Sequence, residues 1–373
     1  MTDIEAPATA ENLASPTSTP TGGTVGFLRW LRRAYWVHAI VVFAILFSLP
    51  MSTLSIPGVF DGAFDTPGVG QLLAVCLVFA GLAISYDLLF GGTGILSFGH
   101  GLYVTLGMYA TTILVNHAGL GLWTSAAIAL GMALIAAIVL GAVALRVAGI
   151  GFAMVTLAFG QAFSILILSG SPSLTGGEQG QSLTPDAMPA SLSGVLNTRN
   201  LYWVALGYLV ICAAVVWWIS ASVPGRIMRG IRDNETRVAV LGLNPYLFKL
   251  LSFVVASLLA TAGGVVYLLL LGGATPSVST SDFTLALLVM VVLGGAGRRW
   301  GAIIGGIVYG YASQSLARLS NSSAVASLPG AIRGPLSQPL FLLGVAFVLI
   351  VIFVPGGLTG LSRLVRRRTP GGQ

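Results

Sequence analysis

The chain has 373 residues, 55% hydrophobic and 8% charged, with a mean hydropathy of +0.92 and a formal net charge of +7. That composition excludes a soluble globular domain. Apolar runs of about 20 residues fit membrane-spanning helices, whereas barrel strands would alternate over about ten. The basic excess does not mark a nucleic-acid binder, because most arginines flank apolar runs, where membrane topology puts them.

In chain order, residues 1–25 are rich in Ala, Pro, Thr and Ser, with Asp3, Glu5 and Glu11. They cannot form a core, so a disordered cytoplasmic tail is expected, and the basic start and apolar stretch of a secretory signal are absent from it. Residues 26–362 are expected to be one membrane domain, followed by a basic cytoplasmic tail over 363–373. The predicted fold is an all-α integral membrane protein, a polytopic helical bundle of about ten transmembrane spans. The spans are expected near 36–56, 69–90, 95–115, 122–145, 150–170, 201–221, 247–271, 283–297, 301–317 and 338–355. The eighth and ninth are short and divided by Gly294, Gly295, Gly297, Arg298 and Arg299, so they are two helices or one re-entrant hairpin. With both termini cytoplasmic, ten crossings put all but Arg199, Arg318 and Arg333 of the eighteen basic residues inside, as the positive-inside rule requires.

The segment from Ser85 to Gly101 interrupts the apolar pattern with Tyr86, Asp87, Gly91, Gly92, Gly94, Ser97, Gly99 and His100. Glycines permit sharp turns and close helix approach, and an acid within a span should face the bundle interior or water. Asp87 and His100 are expected at one cytoplasmic helix corner, close enough in depth to pair. Two readings stand side by side: an inner gate lining the pathway, or a tight corner in which Asp87 caps a helix end. Leu89–Gly94 is echoed by Val292–Gly297, each after an apolar run. Gly301, Gly305, Gly306 and Gly310 give a small-residue stripe expected to pack against another helix.

An outer loop over 171–200 carries Thr175, Gly176 and Gly177, and loops of that size have a role or are disordered. On the cytoplasmic side, the loop 222–249 concentrates charge: Arg226, Arg229, Arg232, Asp233, Glu235, Arg237 and Lys249. Ile227, Ile231 and Val238 recur among these charges at helical spacing, which predicts a short amphipathic helix ended by Gly242 and Asn244-Pro245. Such a helix can seat its apolar face in a partner groove while its arginines pair with acids.

Enzyme signatures fail. The one lysine, Lys249, lacks a Gly-rich lead, no His-Glu-x-x-His or Cys-x-x-Cys occurs, and His38, His100 and His117 are scattered. No catalytic residue, metal site or cofactor is expected, and Cys76 and Cys212 are expected to be buried packing residues. A solute carrier driven by ions would need ionisable groups along its path, and Asp87 is nearly the only one.

Three of these motifs together resemble the permease subunits of branched-chain amino-acid ABC importers, of the LivM-like type. They are Tyr86-Asp87-Leu88-Leu89 through Gly94 to His100, Thr175-Gly176-Gly177 with Gly180, and the loop from Arg226 to Lys249. Val291–Gly297 and Pro355–Leu358 also fit, so the likeness covers about residues 70–362. It implies a non-enzymatic, multi-pass subunit of a bacterial inner (plasma) membrane. A second homologous permease, cytoplasmic ATP-binding subunits and an extracytoplasmic substrate-binding protein are implied as partners. The resemblance also makes 222–249 the loop that couples to the ATPase, through Arg229, Arg232, Asp233, Glu235, Ala239 and Gly242. Related systems carry urea or other small amides and acids, and sugar or nucleoside permeases are the nearest rivals. A secondary transporter is the competing class.

Overall fold

The computed structural model describes residues 43–52, 62–170, 172–184, 188–189, 191–192, 197–320, 357–360 and parts of 341–348. The chain divides into Met1–Leu49 and Pro50–Gln373. In the first unit, the described residues 43–49 are helical, with the rings of Phe43 and Phe47 stacked at 6.1 Å. Everything below concerns the second. The two expected tails and most of the first and tenth expected spans lie outside the described residues.

Nine principal helices follow in order: α1 Pro67–Asp87, α2 His100–Ala118, α3 Leu122–Ala144, α4 Ile150–Ser169, α5 Thr198–Ala221, α6 Val223–Val240, α7 Pro245–Leu271, α8 Ser281–Gly294 and α9 Arg299–Ser320. Sequence punctuation explains many of their limits. Pro67 and Pro245 occupy first-turn positions that need no amide donor. Asn244 caps α7 by accepting from the Tyr246 amide at 3.1 Å. Gly119 and Gly272, both at positive φ, stop α2 and α7.

Among the described residues, five helices are long and apolar enough to cross a membrane: α1 with its π-helical extension, α3, α4, α5 and α7. The apolar stretch of α1 is 94% buried, against 28% for α3 and α4. Hence α1 is the central helix, packed by α5, α7 and α9, and α3 and α4 lie at the periphery. All helix–helix packing is close. Gly306 of α9 rests against the Ala80 backbone of α1, and Gly310 against Cys76, so the stripe packs as expected.

The eighth and ninth expected spans are two helices, not a single broken one. Gly301 touches Gly294, and Gly305 touches Met290, so α8 and α9 form an antiparallel hairpin. At 14 residues, α8 is only about 21 Å long, too short to cross alone. A strand Gly273–Ala274 and a 3-10 turn Pro276–Ser279 lead into it. The third expected span is corrected in a similar way. Its first residues, Ile95–Gly99, are not helical, and α2 begins only at His100.

Candidate functional site

At one end of the bundle, α1 widens into a π-helical turn, Leu88–Thr93, closed by Gly94 at φ +80. Such insertions are rare and cluster at functional places. Asp87, 4% exposed, accepts a 2.7 Å hydrogen bond from the Gly297 amide in the α8–α9 turn. Gly91 is obligatory here, because a Cβ would strike the Asp87 carboxylate and the Gly297 amide; Gly92 has room for one. The two echoed glycine motifs therefore meet face to face. Thr359 extends the joint, donating to the Gly294 carbonyl at 2.9 Å and accepting from Arg298 at 3.3 Å.

Arg232 of α6 reaches into this same joint. Its guanidinium donates to the Gly91 carbonyl and lies against Gly297, while its aliphatic stem lies against Gly94. Arg232, exposed in this chain, is thus also tied to the membrane helices.

Beyond Gly94 the chain is non-helical through Ile95–Gly99 before α2 starts. Burial alternates along it: Ile95, Ser97 and Gly99 are buried, Leu96 and Phe98 half-buried, as on a strand with one open face. Non-helical backbone at membrane depth is tolerated only where its amides are satisfied. The Phe98 amide donates to the Thr156 hydroxyl of α4 at 3.1 Å, and the Gly101 amide to the Thr284 hydroxyl of α8 at 3.0 Å. Tyr86 donates to the Ser97 carbonyl at 2.9 Å and sets its ring edge-on to His100. In place of an Asp87–His100 pair, His100 Nε2 meets the Ser85 hydroxyl at 3.2 Å, away from the Asp87–Gly297 joint. The sequence reading missed Thr156 and Thr284. A lone Thr in an apolar helix carries no local signal; only the opposing break in the backbone reveals its task.

Helix α6 is amphipathic, as expected, with Met228, Ile231 and Val238 buried. It kinks at Asn234, whose side chain caps the second half by accepting from the Arg237 amide at 2.9 Å. Arg229 folds back on the Gly225 and Ser220 carbonyls, both at 3.3 Å. Glu235 pairs with Lys249 of α7 at 2.5 Å. Asp233, Ala239 and Gly242 are exposed, beside Val240 at 82% and Leu241 at 73%. Two large apolar side chains this open, among charges and outside the helical bundle, form an unpartnered edge.

At the opposite end, Thr175, 9% exposed, donates to the Ile167 carbonyl at 2.9 Å. Gly176, Gly177 and Gly180 all have positive φ, and a Cβ at Gly180 would strike the Ala274 carbonyl. The motif is a tight turn that sets strand Gln181–Ser182 antiparallel to Gly273–Ala274. Leu183 and Leu192 then pack on Val115, Leu122 and Leu269, which seals the described part of this loop onto the helix ends.

Five apolar helices, an irregular membrane segment and a joint tied to an amphipathic surface helix define a multi-pass membrane permease. Over residues 68–354 the chain matches, and belongs to, the family described as "Branched-chain amino acid transport system / permease component". It is 27% identical over 318 residues to the high-affinity branched-chain amino acid transport system permease protein LivM of Escherichia coli (strain K12), covering 79% of this chain and 71% of that protein. The Salmonella typhimurium LivM is 26% identical over the same shares. A shorter likeness, 29% over 126 residues, joins 32% of this chain to 39% of the ribose import permease protein RbsC of Haemophilus influenzae. This is a LivM-like permease component of an ABC transporter, and the family is a transport family, not an enzyme family.

Proposed function

We propose that this permease carries branched-chain amino acids inward through a bacterial inner membrane, forming half of the pathway beside a second homologous permease. ATP-binding subunits would dock on α6, and a substrate-binding protein would deliver solute at the end carrying Thr175–Gly180. Alternating access would then operate through the joint of Asp87, Gly91, Gly297 and Arg232. Membership of the family and the LivM likeness over most of the chain support the substrate class. The observation that carries the mechanism is the contact of Arg232 with Gly91, which joins the exposed helix to the π-helical turn of the central span. Asp233, Arg237, Val240 and Leu241 form the ATPase-facing edge on this reading, with Gly242 giving the turn its positive φ.

The orientation has ten crossings with both termini, the 222–249 loop and the 363–373 tail inside, in keeping with the arginine distribution. Thr175 is too buried to report sidedness, whereas Glu178 and Asn234 are exposed. In a chain whose Cys76 and Cys212 are replaced by Ala, Glu178→Cys should react from outside and Asn234→Cys only from inside. Reaction of both from one side would sink the orientation. Reconstituted with its partners, the permease should support ATP-dependent uptake of leucine, isoleucine and valine. The partial likeness to a ribose permease motivates the second reading, a sugar solute. Ribose uptake without leucine uptake would replace the first reading with the second.

A further inference from the structure

Among the described residues, Asp282 in the first turn of α8 and Gln161 in α4 are exposed polar side chains at depths where lipid would surround a lone helix, as is Gln314 of α9. The depth of the first two follows from the contacts. Near the outer end of α2, the Asn116 side chain holds the strand pair, donating to the Ser182 carbonyl at 2.9 Å and accepting from the Thr184 amide at 3.1 Å. From Asn116 back to Gly101 is about 22 Å of helix, and there Gly101 donates to Thr284, two residues from Asp282. The far end of α8 abuts Gly91 and Arg232 at the opposite surface. Between the same two surfaces α7 runs 27 residues, about 40 Å, the full thickness of a bilayer with its headgroups. Asp282 therefore lies near the bilayer midplane. Gln161 precedes the outer end of α4 at Ser169 by about 12 Å, still at hydrocarbon depth.

The two residues belong to neighbouring parts of the fold. The 3-10 turn that leads into α8 is fastened to α4, Ser164 and Ser279 hydroxyls meeting at 3.1 Å, one turn of α4 from Gln161. The outward face of α3 at this depth is apolar, presenting Ile128, Met132, Ile135, Ile138 and Val139. That face suits lipid. A carboxylate at the midplane does not, and intramembrane acids face water or a partner. No described residue forms a salt bridge with Asp282.

We infer that Asp282 and Gln161 face the water-filled translocation pathway, and that the Asp282 carboxylate receives the ammonium group of the transported amino acid. Charge complementarity selects that occupant: the amides of the first turn of α8 favour a negative charge at Asp282, and the carboxylate then offers a midway station to a cation. Gln161, neutral and able both to donate and to accept, suits the polar carboxylate end. This assignment rests on the amino-acid reading above for the ligand, but not for the water-lined wall.

The test uses the complete importer in native-lipid vesicles, with Cys76→Ala and Cys212→Ala. Asp282→Cys and, separately, Gln161→Cys should react with a cationic, water-soluble methanethiosulfonate, and leucine supplied by the binding protein should slow the reaction. Asp282→Asn should lower uptake at subsaturating leucine about tenfold, the effect of losing one charge-assisted contact. Its co-purification with the ATP-binding subunits should stay normal, and Asp282→Glu should recover part of the loss. Thiols that resist the aqueous reagent, or that cross-link in high yield to the second permease, place these residues in lipid or in a dry subunit seam and overturn the wall. Wild-type uptake by Asp282→Asn overturns the ammonium contact and reduces Asp282 to a helix-end residue. If the unmodified importer carries no branched-chain amino acid, the functional reading fails alone, since thiol accessibility still decides the wall.

Discussion

Arg232→Glu should leave a membrane-inserted permease whose uptake falls by about tenfold or more while ATP hydrolysis by the assembled complex persists. The guanidinium lies against Gly297 and donates to the Gly91 carbonyl, so reversal sets a carboxylate against an acceptor, in the joint that already holds Asp87. A hydrogen bond from a charged group contributes about 1.5–3 kcal/mol, and the exposure of Arg232 brings the stability part of that down toward about 1 kcal/mol. The larger effect is on coupling. Arg229→Glu is the control, since Arg229 is satisfied by carbonyls in its own stretch of chain. Asp87→Asn tests the other half of the joint: the amide oxygen can still accept from Gly297, so assembly should persist while uptake slows. Loss of ATPase co-purification in Arg232→Glu, with uptake falling only in proportion, would make Arg232 a docking contact after all. If Asp87→Asn abolishes folding, the helix-corner reading replaces the gate.

Gly306→Val should destabilise the bundle strongly. A Cβ there would meet the backbone of Ala80 and Phe79, atoms that cannot swing aside as a flexible side chain could. Overpacking usually costs about 1–3 kcal/mol, and here α9 must separate from the central helix to make room. The unfolding midpoint in detergent should drop and expression fall. Gly131 supplies the contrast: it lies on the exposed face of α3 with open space where its Cβ would stand. Gly131→Ala should be neutral or stabilise by up to about 1 kcal/mol, because glycine is the poorer helix former. Equal midpoints for Gly306→Val and the unaltered chain would mean that α1 and α9 do not touch.

The amino-acid sequence by itself determined the class of this protein, most of its helix limits, its family and the place of the amphipathic helix. Each of these is written locally. Apolar run length sets a span, Pro67, Asn244-Pro245 and Gly272 mark ends, and the spacing of Ile231 and Val238 sets a buried face. The candidate site was legible as a list of residues but not as an arrangement. Asp87, Gly91 and Arg232 do converge, yet Asp87 meets a backbone amide in the α8–α9 turn, while His100 pairs with Ser85. Thr175 is a buried turn anchor, and the exposed Arg232 also reaches the Gly91 carbonyl. Only the tertiary structure decided that Ile95–Gly99 leaves the helical path and that α8 starts beside the first turn of α2. The reason lies in hydrogen bonding: amides freed at membrane depth need partners, and those partners, Thr156 and Thr284, come from helices far along the chain. No local pattern can announce a partner that distant.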